Sequence, residues 1–183
     1  MYFGTRNDEA TSFRLLDIFV DAGGFFIDTA NIYTHWVEGY KGYESEALLG
    51  RWMKARKNRP RLFIATKVGF EIPYYGVQRG LPAATILQEC DTSLRNLGVE
   101  TIDLYYAHCD DPNSPLEESL QAFDRLVKAG KYAPSVPATT RHGAWRRRAG
   151  QAGRMAGVNS AACSGDIRTS IPGRVQAFPR RSL

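Results

Sequence analysis

The sequence predicts an α/β fold in which helices alternate with the strands of a parallel sheet. Three observations carry that expectation. Up to Lys131, amphipathic stretches alternate with short runs rich in β-branched and aromatic residues: FFI, LFIAT and IDLYYA. Glycine follows helical stretches at Gly23, Gly98 and Gly130, where the left-handed backbone that ends many helices costs least. A polar residue follows each apolar run, Asp28, Lys67 and His108, and their separations of 39 and 41 residues match one βα unit each.

The first helix is expected over about Glu9 to Ala22, with Phe13, Leu16 and Phe19 on one face and Gly23-Gly24 as its stop. A strand at Phe25 to Ile27 leads into a loop, Asp28 to Tyr43, rich in Tyr, Gly and Trp. The second helix, about Glu44 to Arg56, sets Leu48 and Trp52 four apart and ends in a basic turn, which suits the negative end of the helix dipole. Leu62 to Thr66 is the second strand. The third helix carries Leu87, Cys90, Leu94 and Leu97, stepping by three, four and three, and Ile102 to Ala107 is the third strand. Ser114-Pro115-Leu116-Glu117 then reads as an N-cap serine, a first-turn proline and a glutamate completing a capping box. The stripe of that fourth helix is Leu116, Leu120, Phe123 and Val127.

Charge divides the chain. Residues 1–131 hold 15 Lys+Arg against 18 Asp+Glu, net −3, whereas 132–183 hold nine Arg, no Lys and the one acid Asp166, net +8. The overall +5 and the isoelectric point near 9.2 therefore belong to the last 52 residues, and give no argument for a nucleic-acid or membrane partner. No apolar run approaches the roughly 18–20 residues of a membrane helix. MYFGTRNDEA lacks the basic and apolar regions of a signal peptide, so a cytoplasmic chain is expected. Cys90, Cys109 and Cys163 are widely spaced, with no histidine at metal-ligand spacing, so reduced thiols are expected and neither a disulfide framework nor a metal site is signalled.

In a parallel βα array, Asp28, Lys67 and His108 emerge on one face, at the C-terminal strand ends where βα barrels form their active sites. Tyr33, five residues beyond Asp28, leaves the same strand end and can fold back over them. A lysine ammonium beside a tyrosine hydroxyl favours the phenolate and lowers the tyrosine from its usual value of about 10, and an aspartate keeps that ammonium charged. Tyr33 is then a candidate general acid, and His108 a hydrogen-bond donor that lowers the cost of a developing alkoxide. Taken singly, Asp28 also reads as a turn or cap residue, His108 as a loop residue bonded to backbone, and Tyr33 as packing. Lys67 resists such a reading, because a charge ending LFIATKV is disfavoured unless paired. Their joint placement at one strand-relative position favours a site.

These segments resemble the aldo/keto reductase family. GGFFIDTANIY is similar to its Gly-x-x-x-Asp-Thr-Ala-x-x-Tyr signature, YESEALLGRWM to its Ser-Glu-x-x-Leu-Gly helix, LFIATKVG to its lysine strand and IDLYYAHCDD to its histidine strand. The resemblance runs from about Phe3 to Lys131. It implies an incomplete (β/α)8 TIM barrel, strands two to four with their helices, followed by an irregular tail. It implies NADPH as cofactor, with Asp28 among the residues that bind it, and hydride transfer to an aldehyde or ketone, a small-molecule carbonyl substrate. By motif, Asp28 orients the lysine, Tyr33 is the acid, Lys67 tunes it and His108 positions the carbonyl. The insertion Thr34 to Tyr43, with WVEGY, resembles bacterial reductases of unassigned substrate more than shorter-looped members.

Two departures from the family stand out. Its members begin with a strand ending in Gly-Thr upstream of this start, so the first barrel strand is expected to be missing. After the fourth helix they continue with a strand resembling VRAIGASN, whose Ser-Asn pair holds the nicotinamide amide, whereas Lys131 here is followed by YAPSVPATTRHGAWRRRAGQ. Nine Ala, six Gly, four Pro and no Lys make residues 132–183 a composition of disorder. A shifted reading frame explains them better: with codons chosen at the wobble positions for Ala133 to Arg148, reading from the third base gives AIGASNYTAWRLAEA, and restoring one base after the Lys131 codon gives Lys-Val-Arg upstream. A single-base deletion near the codons for Lys131 and Tyr132 is therefore expected.

The expected organisation is a partial barrel over 1–131 and an out-of-frame tail over 132–183. A barrel short of its remaining units leaves open sheet edges and exposed apolar helix faces, and lacks the phosphate-binding loops that follow strands seven and eight. The chain is thus expected to bind NADPH weakly or not at all, as an inactive fragment of a carbonyl reductase. A non-catalytic nucleotide-binding subunit of the same fold, and a basic-tailed protein retained on nucleic acid with a strong salt dependence, are the competing readings. Nothing in the sequence names the substrate or the oligomeric state.

Overall fold

In the computed structural model, which describes residues 2–132, Asp8 opens the first helix by accepting a hydrogen bond from the Thr11 amide at 2.7 Å. That pairs one of the amides a helix start leaves free. The helix, α1 (Glu9–Asp21), ends at Ala22, and Gly23 follows at φ 89°. It buries Ser12, Leu16 and Val20 rather than the expected Phe13, Leu16 and Phe19; Phe13 is half-buried and Phe19 exposed. The reason is its partner. Asp17 accepts from Trp52 Nε1 at 2.8 Å and from Arg56 Nη2 at 2.8 Å, and Glu9 accepts from Arg51 Nε at 2.9 Å. These bonds tie α1 to the next helix, and the stripe spaced by four packs Leu16 and Val20 into the core with Leu48 and Trp52.

β1 (Phe26–Asp28), β2 (Phe63–Val68) and β3 (Leu104–Ala107) form a parallel sheet in that order, with Asp28 opposite Ala65 and Lys67 opposite Tyr106. Each strand is displaced from its expected bounds. β2, paired on both sides, runs two residues farther than Thr66, so Lys67 lies inside the strand instead of after it. Asp28 is likewise the last residue of β1. Ile102 falls outside β3 and makes an isolated parallel bridge to Tyr132, which is buried; the expectations for the chain beyond Tyr132 lie outside the described residues.

α2 (Glu44–Arg56) has the bounds expected of it. α3 (Ala83–Leu97) closes on Gly98 at φ 63° and buries Ile86, Glu89, Cys90, Ser93 and Leu97, leaving Leu87 and Leu94 half-buried. α4 (Leu116–Lys128) is capped by Pro115 rather than Ser114. The expected capping box does not form; instead Glu118 accepts from the Ala83 amide at 2.9 Å and ties the starts of α3 and α4 together. The inward face of α4 is Ser119, Ala122, Phe123 and Leu126, with Leu116, Leu120 and Val127 on its flanks.

The helices bury one face of the sheet around Leu48, Trp52, Ile64, Ile86, Leu97 and Tyr105. α2 and α3 touch at Gly50, where a Cβ would stand 2.3 Å from the Asn96 carbonyl oxygen. The alternation of strand side chains puts Phe26, Asp28, Phe63, Ala65, Lys67, Leu104 and Tyr106 on the opposite face. Phe26 and Phe63 stack there at 5.2 Å, and Phe26 is 47% exposed. Leu15, Ile18 and Phe19 are also exposed on α1. Among the described residues Cys90 and Cys109 are free and buried, no group of side chains is arranged to hold a metal, and no helix is long and apolar enough to cross a membrane.

Candidate active site

Asp28 ends β1, Lys67 is the penultimate residue of β2, and His108 follows β3, its amide donating to the Val68 carbonyl at 2.7 Å as a continuation of the ladder. The parallel sheet therefore sets all three at one end. Lys67 is 5% exposed, and its ammonium donates to Asp28 Oδ2 at 2.6 Å, to the Thr29 carbonyl at 2.6 Å and to the Tyr33 hydroxyl at 2.8 Å. Three N–H groups meet three acceptors, so the buried charge is fully paired.

Tyr33 reaches Lys67 through a tight turn in which its amide donates to the Ala30 carbonyl at 3.2 Å. Thr34 follows at φ 88°, a left-handed conformation that a β-branched residue adopts at a cost. The surrounding bonds hold it there. Its hydroxyl donates to the Glu44 carboxylate, which also accepts from the Lys41 and Gly42 amides at 2.8 and 2.9 Å. The neck of the loop is closed by Glu89, 2% exposed, which accepts from Asn31 Nδ2 at 2.7 Å and the Tyr43 hydroxyl at 2.8 Å.

His108 packs edge-on to Tyr33, ring centres 5.8 Å apart, and to Phe70 at 4.8 Å. Burial, and after it the Lys67 charge, push its imidazole down to about 4, so it is a neutral group. Its Nδ1 is buried with no partner among the described residues. Trp36 continues this aromatic wall, packed edge-on to Tyr33 at 6.0 Å.

Direct bonds thus join Asp28, Tyr33 and Lys67, and a ring contact adds His108. Sequence reasoning missed Tyr106, whose hydroxyl donates to Asp28 Oδ1 at 2.5 Å. The signal was present: Tyr106 stands two residues before His108, and strand alternation puts the pair on one face. It also missed Glu44 and Glu89, the latter a carboxylate within a helical face otherwise formed by Ile86, Cys90, Ser93 and Leu97.

Comparison with known proteins gives the family. The model of the Aldo/keto reductase family matches residues 1–133. The chain is 38% identical over 130 residues to aldo-keto reductase str7 of Strobilurus tenacellus, covering 71% of this chain and 35% of that protein. It is 37% identical over 137 residues to an NADP(+) aryl-alcohol dehydrogenase of Phanerodontia chrysosporium, covering 70% of this chain and 34% of that one. Among solved structures it is similar to aldo-keto reductase AKR11C1 from Bacillus halodurans in its holo form, with a TM-score of 0.58 and 31% identity over 68% of this chain and 40% of that one. Sheet, helices and match together define a protein of the α/β barrel class. The chain belongs to the aldo/keto reductase family, and it spans about a third of the length of the two relatives named first.

Proposed function

We propose that the protein reduces aldehydes or ketones to alcohols with NADPH, hydride passing to the carbonyl carbon while Tyr33 protonates the oxygen. The observation that carries this reading is the direction of the hydrogen bond between Lys67 and Tyr33. The hydroxyl oxygen of Tyr33 accepts from the ammonium, and among the described residues no acceptor takes the Tyr33 proton. That proton is free for a substrate oxygen. Tyr106, the other tyrosine of the cluster, has committed its proton to Asp28.

As charge develops on the carbonyl oxygen, the Tyr33 O–H bond transfers its proton there and Lys67 stabilises the phenolate left behind. Asp28 balances the Lys67 charge and fixes its position. His108, neutral at working pH, donates an N–H to the same oxygen. Phe70, Trp36 and the His108 ring form an apolar wall, which strengthens these interactions by lowering the local dielectric.

NADPH supplies the hydride when bound. Asp28, which keeps 38% of its side chain exposed on the open face of the sheet, would accept from a ribose hydroxyl at the nicotinamide end. No described residue is assigned to its phosphates. Three strands of a barrel that closes with eight are described, so activity belongs to a polypeptide carrying the remaining units. On this reading the segment after Lys131 is the product of a one-base deletion; sequencing of the gene that finds no reductase in the shifted frame overturns that part. Oxidation of NADPH by a frame-restored, N-terminally extended chain with a panel of aldehydes and ketones tests the activity. Absence of turnover in a folded product contradicts it.

A further inference from the structure

We infer that Tyr106 is a positioning residue that locks the Asp28 carboxylate, and through it directs the third N–H of Lys67 onto Tyr33. The inference rests on the reading of Tyr33 as the acid, and deepens it.

The sheet register carries the argument. Lys67 on β2 stands opposite Tyr106 on β3, and Asp28 lies on β1 at the other side of Lys67. The Tyr106 hydroxyl passes over β2 to donate to Asp28 Oδ1 at 2.5 Å, while Lys67 donates to Oδ2 at 2.6 Å. A carboxylate held by one donor turns about its Cβ–Cγ bond; held at both oxygens by two separate donors, it does not. The lock matters because the Asp28 side chain is 38% exposed. With Oδ1 released, water competes for it, or Lys67 is drawn across both oxygens. Either change moves an ammonium whose three donors are all committed; of its two neutral acceptors the Thr29 carbonyl is buried and the Tyr33 hydroxyl only partly so, and the bond lost at least cost is the one to Tyr33.

The two tyrosines are therefore not equivalent, although both rings lie close to the ammonium, Tyr33 with its centre at 4.5 Å and Tyr106 at 5.3 Å. Burial, and then the bond to Asp28, hold the Tyr106 hydroxyl well above its ordinary value, so it remains a donor across the working range. The plain alternative is that Tyr106 only fills space on the open sheet face, a role phenylalanine would serve equally well.

The test uses the 183-residue chain labelled with 15N-lysine. A buried ammonium with three acceptors exchanges its protons slowly, so Lys67 is expected to give a resolved ammonium resonance near neutral pH, identified by its loss in Lys67→Met. Tyr106→Phe is expected to abolish or shift that resonance while the backbone spectrum away from the site is unchanged. A Lys67 resonance present in the parent and unmoved in Tyr106→Phe overturns the positioning role and leaves the Tyr33 reading standing. No Lys67 resonance in the folded parent overturns both, since the cluster is then not formed. If Tyr106→Phe does not fold, the Tyr106 hydroxyl proton of the unmutated chain reports on the same contact: a slowly exchanging downfield resonance is expected, and exchange at the rate of a solvated tyrosine overturns the inference.

Discussion

Lys67 Nζ lies 2.8 Å from the Tyr33 hydroxyl, and its two other protons go to Asp28 and to the Thr29 carbonyl, each at 2.6 Å. Asp28 and Thr29 belong to the end of β1 and the loop beyond it, so Lys67 joins β2 to the loop that carries Tyr33. The same contact that the proposed chemistry uses also holds the loop against the sheet.

Lys67→Met keeps much of the apolar stem and removes the ammonium. In the complete enzyme the expected loss of turnover is roughly 10²–10⁴-fold, the range for removing a proton-transfer element. The measurement is kcat at saturating NADPH. A variant within a factor of about three of the parent would show that Tyr33 works without the lysine, contrary to the bond geometry.

His108 is expected to titrate near 4, against 6.5 for a free imidazole. A histidine whose folded value is depressed contributes stability that is intact above the unfolded value and lost as the pH falls through the folded one. The window here is therefore about 6.5 down to about 4. Imidazole proton shifts followed by NMR give the midpoint directly. A value near 6.5 would mean that the ring is solvated and that the apolar wall beside Tyr33 is not closed.

Gly50→Ala separates helix propensity from packing. Alanine inside a helix is ordinarily better than glycine by about 1 kcal/mol. At this position the added Cβ meets the Asn96 carbonyl oxygen, a backbone atom on the neighbouring helix, at 2.3 Å. The expected result is a net destabilisation of about 1–3 kcal/mol by overpacking, read from the urea midpoint of the chain. A rise in stability would show that α2 and α3 do not approach so closely.

The sequence already held what depends on local chemistry. The bounds of α2, which ends in a basic turn, and the glycine turns after α1, α3 and α4 follow from the helix dipole and backbone preference, and they agree with the structure. The joint placement of Asp28, Lys67 and His108 followed from unit spacing. The parts that depend on distant partners were not legible. The inward face of α1 is the one that packs Leu16 and Val20 into the core with Leu48 and Trp52 of α2, while the bonds of Asp17 and Glu9 to α2 run along its edge, and that packing takes Ser12, Leu16 and Val20 over a stripe containing two phenylalanines. The extension of β2 through Lys67 depends on pairing with β3. Strand alternation alone puts Tyr106 on the face of His108, but its bond to Asp28 depends on the register that sets it beside Lys67, a relationship between three strands that no one segment contains.

Tyr33→Phe in a polypeptide that carries the remaining barrel units tests the central claim most directly, by measuring kcat together with the affinity for NADPH. The substitution removes one oxygen and leaves the ring that packs against His108 and Trp36. The account predicts a fall in kcat of about 10²–10⁴-fold with cofactor affinity largely unchanged. Near-full turnover in the folded variant would contradict it, and would move the proton donor to another group.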